Sequence, residues 1–282
     1  MVRHRSATPP SSVQIRLAPP NKKIILTQVS VFLYSKSLKN KSINDIISQE
    51  VTMKVAVFSD IHGNYQALDA ILNDINNQNV DKIIFLGDSV SLGPCPNECI
   101  ERLIKENVIF INGNHELYLL NRKYYDKDMS EIEIEHNLWV LTKLDDEQLE
   151  YIENQPLSYS LVINNKKYLF IHFFMNDSVY PFEHISIFKT DEYKKIFDSI
   201  DYDYCFYGHF HKGRIDKYNN KYFYGIGSSG CVKDNKTFYY IIDNENITKK
   251  EIEFDRDLFN EILYSIDYPD KDNISNIFFN NK

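Results

Sequence analysis

The sequence has no apolar run approaching the ~18 residues that a membrane-spanning helix requires, so it offers no transmembrane segment. Cysteine is scarce. Cys95, Cys99, Cys205 and Cys231 are the only four, and their spacing is not that of a disulfide framework. They read as reduced thiols of a cytoplasmic protein. Cys95 and Cys99 also lack the second ligand pair of a structural zinc site. Glycine is sparse, and all nine residues fall between Gly63 and Gly230. Basic charge is in deficit, with 32 Lys and Arg against 40 Asp and Glu and a formal net charge of −8. Such a chain does not adsorb onto nucleic-acid phosphates, so neither nucleic acid nor membrane is expected as a partner. A small anionic substrate stays admissible, because bound metals would dominate the local field. A homo-oligomer is also admissible.

What basic charge there is concentrates at the start. Residues 1–52 contain two Pro-Pro pairs, no glycine and no acid before Asp45. A basic, Ser-containing, acid-poor leader has the composition of a transit peptide. The pairs Pro9-Pro10 and Pro19-Pro20 break any amphipathic helix, however, and Thr27, Gln28 and Ser30 make Ile24–Tyr34 too polar for a signal core. Residues 1–52 are read as a disordered leader, or as an extension upstream of a start at Met53. A single domain is expected over 53–282.

Within that domain strands and helices alternate. Val55–Ser59 is a short apolar strand, and Leu68, Ile71, Leu72 and Ile75 form one helical face at i, i+3, i+4, i+7. Ile83–Leu86 is the next strand, Pro96-Asn97 opens a helix, and Val108–Ile111 is a third strand. The β-α-β-α-β order predicts an α/β fold with a largely parallel sheet under helices. Residues 116–155 read as a helical insertion that overhangs the strand ends. Beyond it a hairpin turns at Asn164-Asn165, a helix covers Asp191–Ser199, and a strand covers Tyr204–Tyr207. Strands over Ile215–Tyr218, Tyr222–Ile226 and Phe238–Asp243 and a closing helix over Asp257–Ile266 complete the domain.

Five of the eight histidines fall in short motifs, each at the C-terminal end of an expected strand. They are Asp60-Ile61-His62-Gly63, Gly113-Asn114-His115, His172 and Gly208-His209-Phe210-His211, and Gly87-Asp88 ends a further strand. Open α/β sheets place ligands at such ends. An Asp-x-His or His-x-His spacing puts both side chains on one side of an extended segment. Together the motifs supply two Asp, one Asn and five His, the donor inventory of a two-metal hydrolase. Asp88, the lone acid of its motif, is the candidate bridging carboxylate. Imidazole and carboxylate donors suit manganese first, with iron, zinc or nickel also fitting, rather than magnesium or calcium.

In this order the motifs resemble those of the calcineurin-like metallophosphoesterases, over roughly residues 53–255. The opening stretch Met53–Asn64 resembles the compact bacterial and archaeal phosphodiesterases of that superfamily. The resemblance implies a four-layer α/β sandwich of two stacked mixed sheets with helices outside. It implies one divalent ion bound by Asp60, His62, Asp88 and His211, and a second bound by Asp88, Asn114, His172 and His209. Asn114 would also touch a substrate phosphoryl oxygen. His115 would stabilise the transition state or protonate the leaving oxygen. The reaction implied is attack of a dimetal-bound hydroxide on a small phosphoester, with a phosphodiester as the leading substrate class. Phosphomonoesterase, protein phosphatase and nucleotide pyrophosphatase are alternatives on the same site. A scaffold that keeps the fold without catalysis, in the manner of the retromer subunit, is the alternative of another class. Retention of His115 and every ligand position speaks against it.

Two positions depart from the family pattern. Glu116 stands where Asp is usual, so its contact with His115 would span one more methylene. Phe173 stands where Gly follows the lone histidine, a bulk expected to narrow the pocket or shift His172. His136 and His184 belong to no motif and read as core or surface residues. Tyr65, Tyr118 and Arg122 read as packing or solvated residues beside the site.

Overall fold

The computed structural model describes residues 53–122, 129–173, 198 and 200–280. The leader assigned to residues 1–52, His184 and, apart from Asp198, the helix expected over Asp191–Ser199 lie outside these.

The first half of the domain is the alternating unit that the apolar periodicity predicts. Strand β1 (Lys54–Phe58) leads to α1 (Tyr65–Ile75), β2 (Lys82–Phe85), α2 (Pro96–Lys105) and β3 (Ile109–Phe110). Asn64 caps α1 by accepting from the Ala67 amide at 3.0 Å, and Leu68, Ile71, Leu72 and Ile75 are its buried face. Pro96 starts α2, where a missing N–H costs nothing. Three helices follow: α3 (Asn114–Leu120), α4 (Glu131–Leu141) and α5 (Asp146–Glu153). The last two open on capping boxes, Ser130 with Glu133 and Asp145 with Gln148.

The rest is mostly strand: β4 (Ser158–Ile163), β5 (Lys166–Ile171), β6 (Tyr204–Tyr207), β7 (Arg214–Tyr218), β8 (Lys221–Gly225), β9 (Lys236–Asp243) and β10 (Asn246–Glu253). Asn164 and Asn165 both take positive φ, which suits the turn between β4 and β5 to the strand twist. The chain continues through α6 (Arg256–Ser265) and α7 (Lys271–Ile274) into a π-helical turn at Ser275–Phe279. Neither β10 nor the segment after α6 is expected from the sequence. In β10 the run Thr248-Lys249-Lys250-Glu251 hides a strand because it is an edge, and edges carry charge.

The strands form two mixed five-stranded sheets flanked by helices, ordered β10-β9-β1-β2-β3 and β4-β5-β6-β8-β7. In the first, β1, β2 and β3 run parallel; in the second, β5, β6 and β8 do. Side chains alternate accordingly. Ala56 and Phe58 pack under the helices, while Val55 and Val57 face the second sheet. The inter-sheet layer explains much of the aromatic content. Tyr168 stacks on Tyr204 with ring centroids 4.6 Å apart, and Phe206 stacks on Tyr224 at 4.9 Å. Both sets of parallel strands deliver their C-terminal ends to the same edge, where the histidine motifs lie.

Candidate metal centre

The loops leaving the strands are sharper than an extended Asp-x-His segment. Asp60, His62, Asp88 and His209 all have positive φ, at 54°, 49°, 59° and 67°. A non-glycine residue there costs of order 1–3 kcal/mol and persists only where neighbours hold it. Here the first two loops hold each other. The Asp60, His62 and Gly63 amides donate to the Gly87, Asp88 and Ser89 carbonyls at 2.9, 2.9 and 2.8 Å. The side chains therefore converge through left-handed turns rather than through strand alternation. The packing is tight enough that a Cβ at Gly113 would collide with the Asp88 carboxylate.

Two groups of donors result. In the first, His62 Nδ1 lies 3.2 Å from the Val90 carbonyl, which can only accept. The proton is therefore on Nδ1, and the Nε2 lone pair faces His211 Nε2 at 3.0 Å. Asp60 Oδ1 lies 3.8 Å from His62 Nε2 and 3.7 Å from His211 Nε2. In the second, His172 Nδ1 donates to the Leu86 carbonyl at 2.8 Å. Its Nε2 lies 3.0 Å from Asp88 Oδ2 and 3.1 Å from Asn114 Oδ1. His209 Nδ1 is 2.9 Å from the same Asn114 oxygen. Asp88 Oδ2 also lies 3.8 Å from His62 Nε2, so one carboxylate faces both groups.

The electrostatics differ between the groups. Burial pushes His211 down to about 4 and takes His62 well below the ordinary imidazole value, with the two rings repelling each other's charge at His62. Burial opposes charge on His172 as well, but the Asp88 carboxylate outweighs it and holds that imidazole up at about 9. Burial would also raise Asp88, yet the His172 and His115 imidazoles hold its carboxyl well below the usual range. Asp60 is pushed up to about 7, by burial first and by Asp88 next among the causes that raise it. With the His62 tautomer set by the Val90 carbonyl, its Nε2 lone pair points at His211 Nε2. A neutral His172 would turn its lone pair toward two oxygens. Cations at these points would take up the lone pairs of His62 and of a neutral His172, so the donor set fits a divalent-metal centre.

His115 is half-buried beside the donors, its ring edge-on to His62 with centroids 5.0 Å apart. Its Nδ1 has no hydrogen-bond partner among the described residues. Glu116 does not contact His115 in the manner expected. Its carboxylate accepts from the Asp88 amide at 2.9 Å, the Ser89 amide at 2.6 Å, the Ser89 hydroxyl at 2.7 Å and the Gly113 amide at 2.8 Å. The longer side chain reaches past the helix start and ties two donor loops together. Phe173 rests against the His172 and His209 rings at 5.3 Å from each, and His172 keeps its contacts to Asp88 and Asn114.

A cavity of about 520 Å³ opens beside His115, His209 and His211. Tyr118, Ile132, Ile274, Ile277 and Phe278 supply its apolar wall. Tyr118 thus faces the cavity, Tyr65 packs in the helix-side core and Arg122 is exposed. His136 is buried against the cavity, accepts from the Leu92 amide at 3.0 Å and is pushed down by burial to about 4. Sequence reasoning misses the contribution of the C-terminal segment, although Ile274, Ile277 and Phe278 at i, i+3, i+4 carry a helical signal. It misses Cys231, beside His62 and His211, as well.

A family model described as the calcineurin-like phosphoesterase superfamily domain matches residues 53–246. The uncharacterised protein MJ0912 of Methanocaldococcus jannaschii is 32% identical over 230 residues, 74% of this chain and 90% of that protein. The structure of a metallophosphoesterase from Sphaerobacter thermophilus is similar with TM-score 0.59 and 22% identity, covering 79% of this chain and 98% of that one. The hypothetical protein PH1004 from Pyrococcus horikoshii is similar with TM-score 0.65 and 19% identity, covering 80% and 98%. These two show the fold. Among the described residues no helix is long and apolar enough to cross a membrane. Family model, fold and donor chemistry agree: the chain belongs to the calcineurin-like phosphoesterase superfamily, as a metal-dependent phosphoric ester hydrolase.

Proposed function

We propose that this chain is a phosphodiesterase with a two-ion centre. Asp60, His62, Asp88 and His211 would hold one ion, and Asp88, Asn114, His172 and His209 the other. The observation that carries this reading is the position of Asp88, within 3.8 Å of His62 and 3.0 Å of His172 through one oxygen. When bound, the ions supply Lewis acidity at the phosphoryl oxygens and make water a nucleophile near neutral pH. Manganese suits the His, Asn and Asp donors of the second position. Asn114 orients the phosphoryl group, and His115, at the cavity wall, passes a proton to the departing ester oxygen. Its four free cysteines suit the reducing cytoplasm.

The cavity favours a diester over a dianionic monoester or a polyphosphate. Its wall is mainly apolar, its charged members besides the donors are Glu133 and Asp270, and no Lys or Arg lines it among the described residues. A second ester substituent of aromatic or nucleoside type removes one phosphoryl charge and fills the apolar wall. Surplus phosphate charge finds no cation there. Turnover of bis(p-nitrophenyl) phosphate and p-nitrophenyl phosphate is measured with Mn²⁺ and with chelator. The reading expects chelator-sensitive hydrolysis with higher kcat/KM for the diester. Hydrolysis of the monoester alone overturns the diester preference, and no hydrolysis of either by metal-loaded protein overturns the enzyme mechanism.

A further inference from the structure

The first donor group contains a side chain outside the histidine motifs. Cys231 Sγ and ring nitrogens of His62 and His211 all lie within 4.8 Å of one another. The loop that carries the thiol is pressed onto the Asp60–His62 turn by several bonds. The Ser229 and Gly230 amides donate to the Ser59 and Asp60 carbonyls at 2.9 and 3.0 Å. The Ser228 hydroxyl donates to the Asp60 carbonyl at 2.7 Å, and the Asn64 side-chain amide donates to the Gly230 carbonyl at 2.8 Å. A Cβ at Gly230 would run into the Ile61 carbonyl, so this approach needs glycine immediately before the cysteine. The turn is then closed around Cys231 itself. Its amide donates to Ser228 Oγ at 2.8 Å, and the Val232 amide donates to the Gly230 carbonyl at 2.9 Å.

A built turn thus holds a sulfur beside two imidazoles whose ring nitrogens face each other at 3.0 Å. Two imidazoles, the Asp60 and Asp88 carboxylates and a sulfur make a softer donor set than the motifs alone describe. Thiolate selects zinc, cobalt(II) or iron(II) over manganese. We propose that Cys231 is a thiolate ligand of the ion held by His62 and His211, making that position a mixed N/O/S site selective for zinc-like cations. Ligation forms a sulfur–metal bond, breaks the S–H bond and releases the proton to solvent. The two positions would then take different metals, with manganese confined to the second. This ligation rests on the two-ion centre proposed above.

The test uses full-length protein stripped with chelator and reloaded with Co²⁺. Wild type is expected to bind cobalt and show the near-ultraviolet thiolate-to-cobalt charge-transfer band. Cys231→Ser, which keeps the size of the side chain, is expected to bind cobalt without the band. Alkylation of the native protein by iodoacetamide, followed by peptide mass, needs no variant. Cys95, Cys99 and Cys205 are buried, and burial raises the partly exposed Cys231 thiol well above its ordinary value. Slow alkylation of Cys231 at alkaline pH is therefore expected in stripped protein and is expected to stop when Zn²⁺ binds. Bound cobalt with no band in wild type, or a band that survives Cys231→Ser, overturns the proposal and leaves the metal centre standing. Failure of wild type to bind cobalt at all overturns both.

Discussion

The two halves of the centre share Asp88 but hold their protons differently. In the half around His172, the proton sits on the imidazole. The imidazole is held charged up to about 9 and bridges Asp88 and Asn114 at 3.0 and 3.1 Å. In the half around His62 and His211, burial drives both imidazoles toward the neutral form and pushes the Asp60 carboxyl up to about 7. Their nitrogens sit 3.0 Å apart. The difference follows from placement. His172 Nε2 points at a carboxylate oxygen at hydrogen-bond distance, whereas the carboxylates nearest His62 are 3.8 Å away. One half keeps its proton on an imidazole, and the other keeps its imidazoles neutral.

The largest expected effect comes from removing the group both halves share. Asp88→Asn is expected to lower kcat/KM by about 10³-fold, the scale of losing a centre's main electrostatic element. Steady-state kinetics on the diester check it, and near-wild-type activity would break the comparison. His115→Ala comes next, with kcat down about 10²–10⁴-fold if proton transfer limits turnover. Metal content should be unchanged. The loss should shrink for p-nitrophenol, a leaving group that needs little protonation, and grow for an alkyl alcohol. Equal losses for both would remove the acid role.

Glu116→Gln probes the frame beneath both halves. It keeps the length of the side chain but gives up the charge that draws four donors from the Asp88 and Gly113 loops. Metal affinity should fall about 10–100-fold, the usual cost of losing a partner behind the ligands. Competition against a chromophoric chelator measures it, and Glu116→Asp, one methylene short, should do no better.

A pH dependence separates the metal-free from the loaded protein. His172 is raised from 6.5 to about 9, so in metal-free protein its contribution to stability is complete below pH 6.5 and lost as pH rises through about 9. His211, depressed to about 4, is neutral in both folded and unfolded states well above pH 6.5 and does not offset this. Urea midpoints of chelated protein should therefore fall between pH 6.5 and 9, and metal should remove the fall. A flat profile in wild type, or the same slope in His172→Asn, would contradict the proton-for-metal exchange.

The β1–α1–β2–α2–β3 order is legible in the amino-acid sequence because each element buries one face, so its apolar period survives. The donors show because strand ends, glycines and histidines coincide at Asp60, Asp88, Asn114 and His209. The partners of Glu116 do not show, because Asp88 and Ser89 reach it across the fold, 28 and 27 positions away. Cys231 is hidden for the same reason, since the imidazoles beside its sulfur, His62 and His211, come from other loops. Strand β10 is hidden by its charge. The cavity wall at Ile274, Ile277 and Phe278 carries a readable period, but α6 already supplies a closing helix and masks the need for another.

A centre of two ions joined through Asp88 stands or falls on the number of metals each chain binds. Elemental analysis of stripped protein reloaded with Mn²⁺ and Zn²⁺ together, then dialysed, should return about two ions per chain for wild type and well under one for Asp88→Asn. One ion per chain in wild type, unchanged by Asp88→Asn, would contradict it.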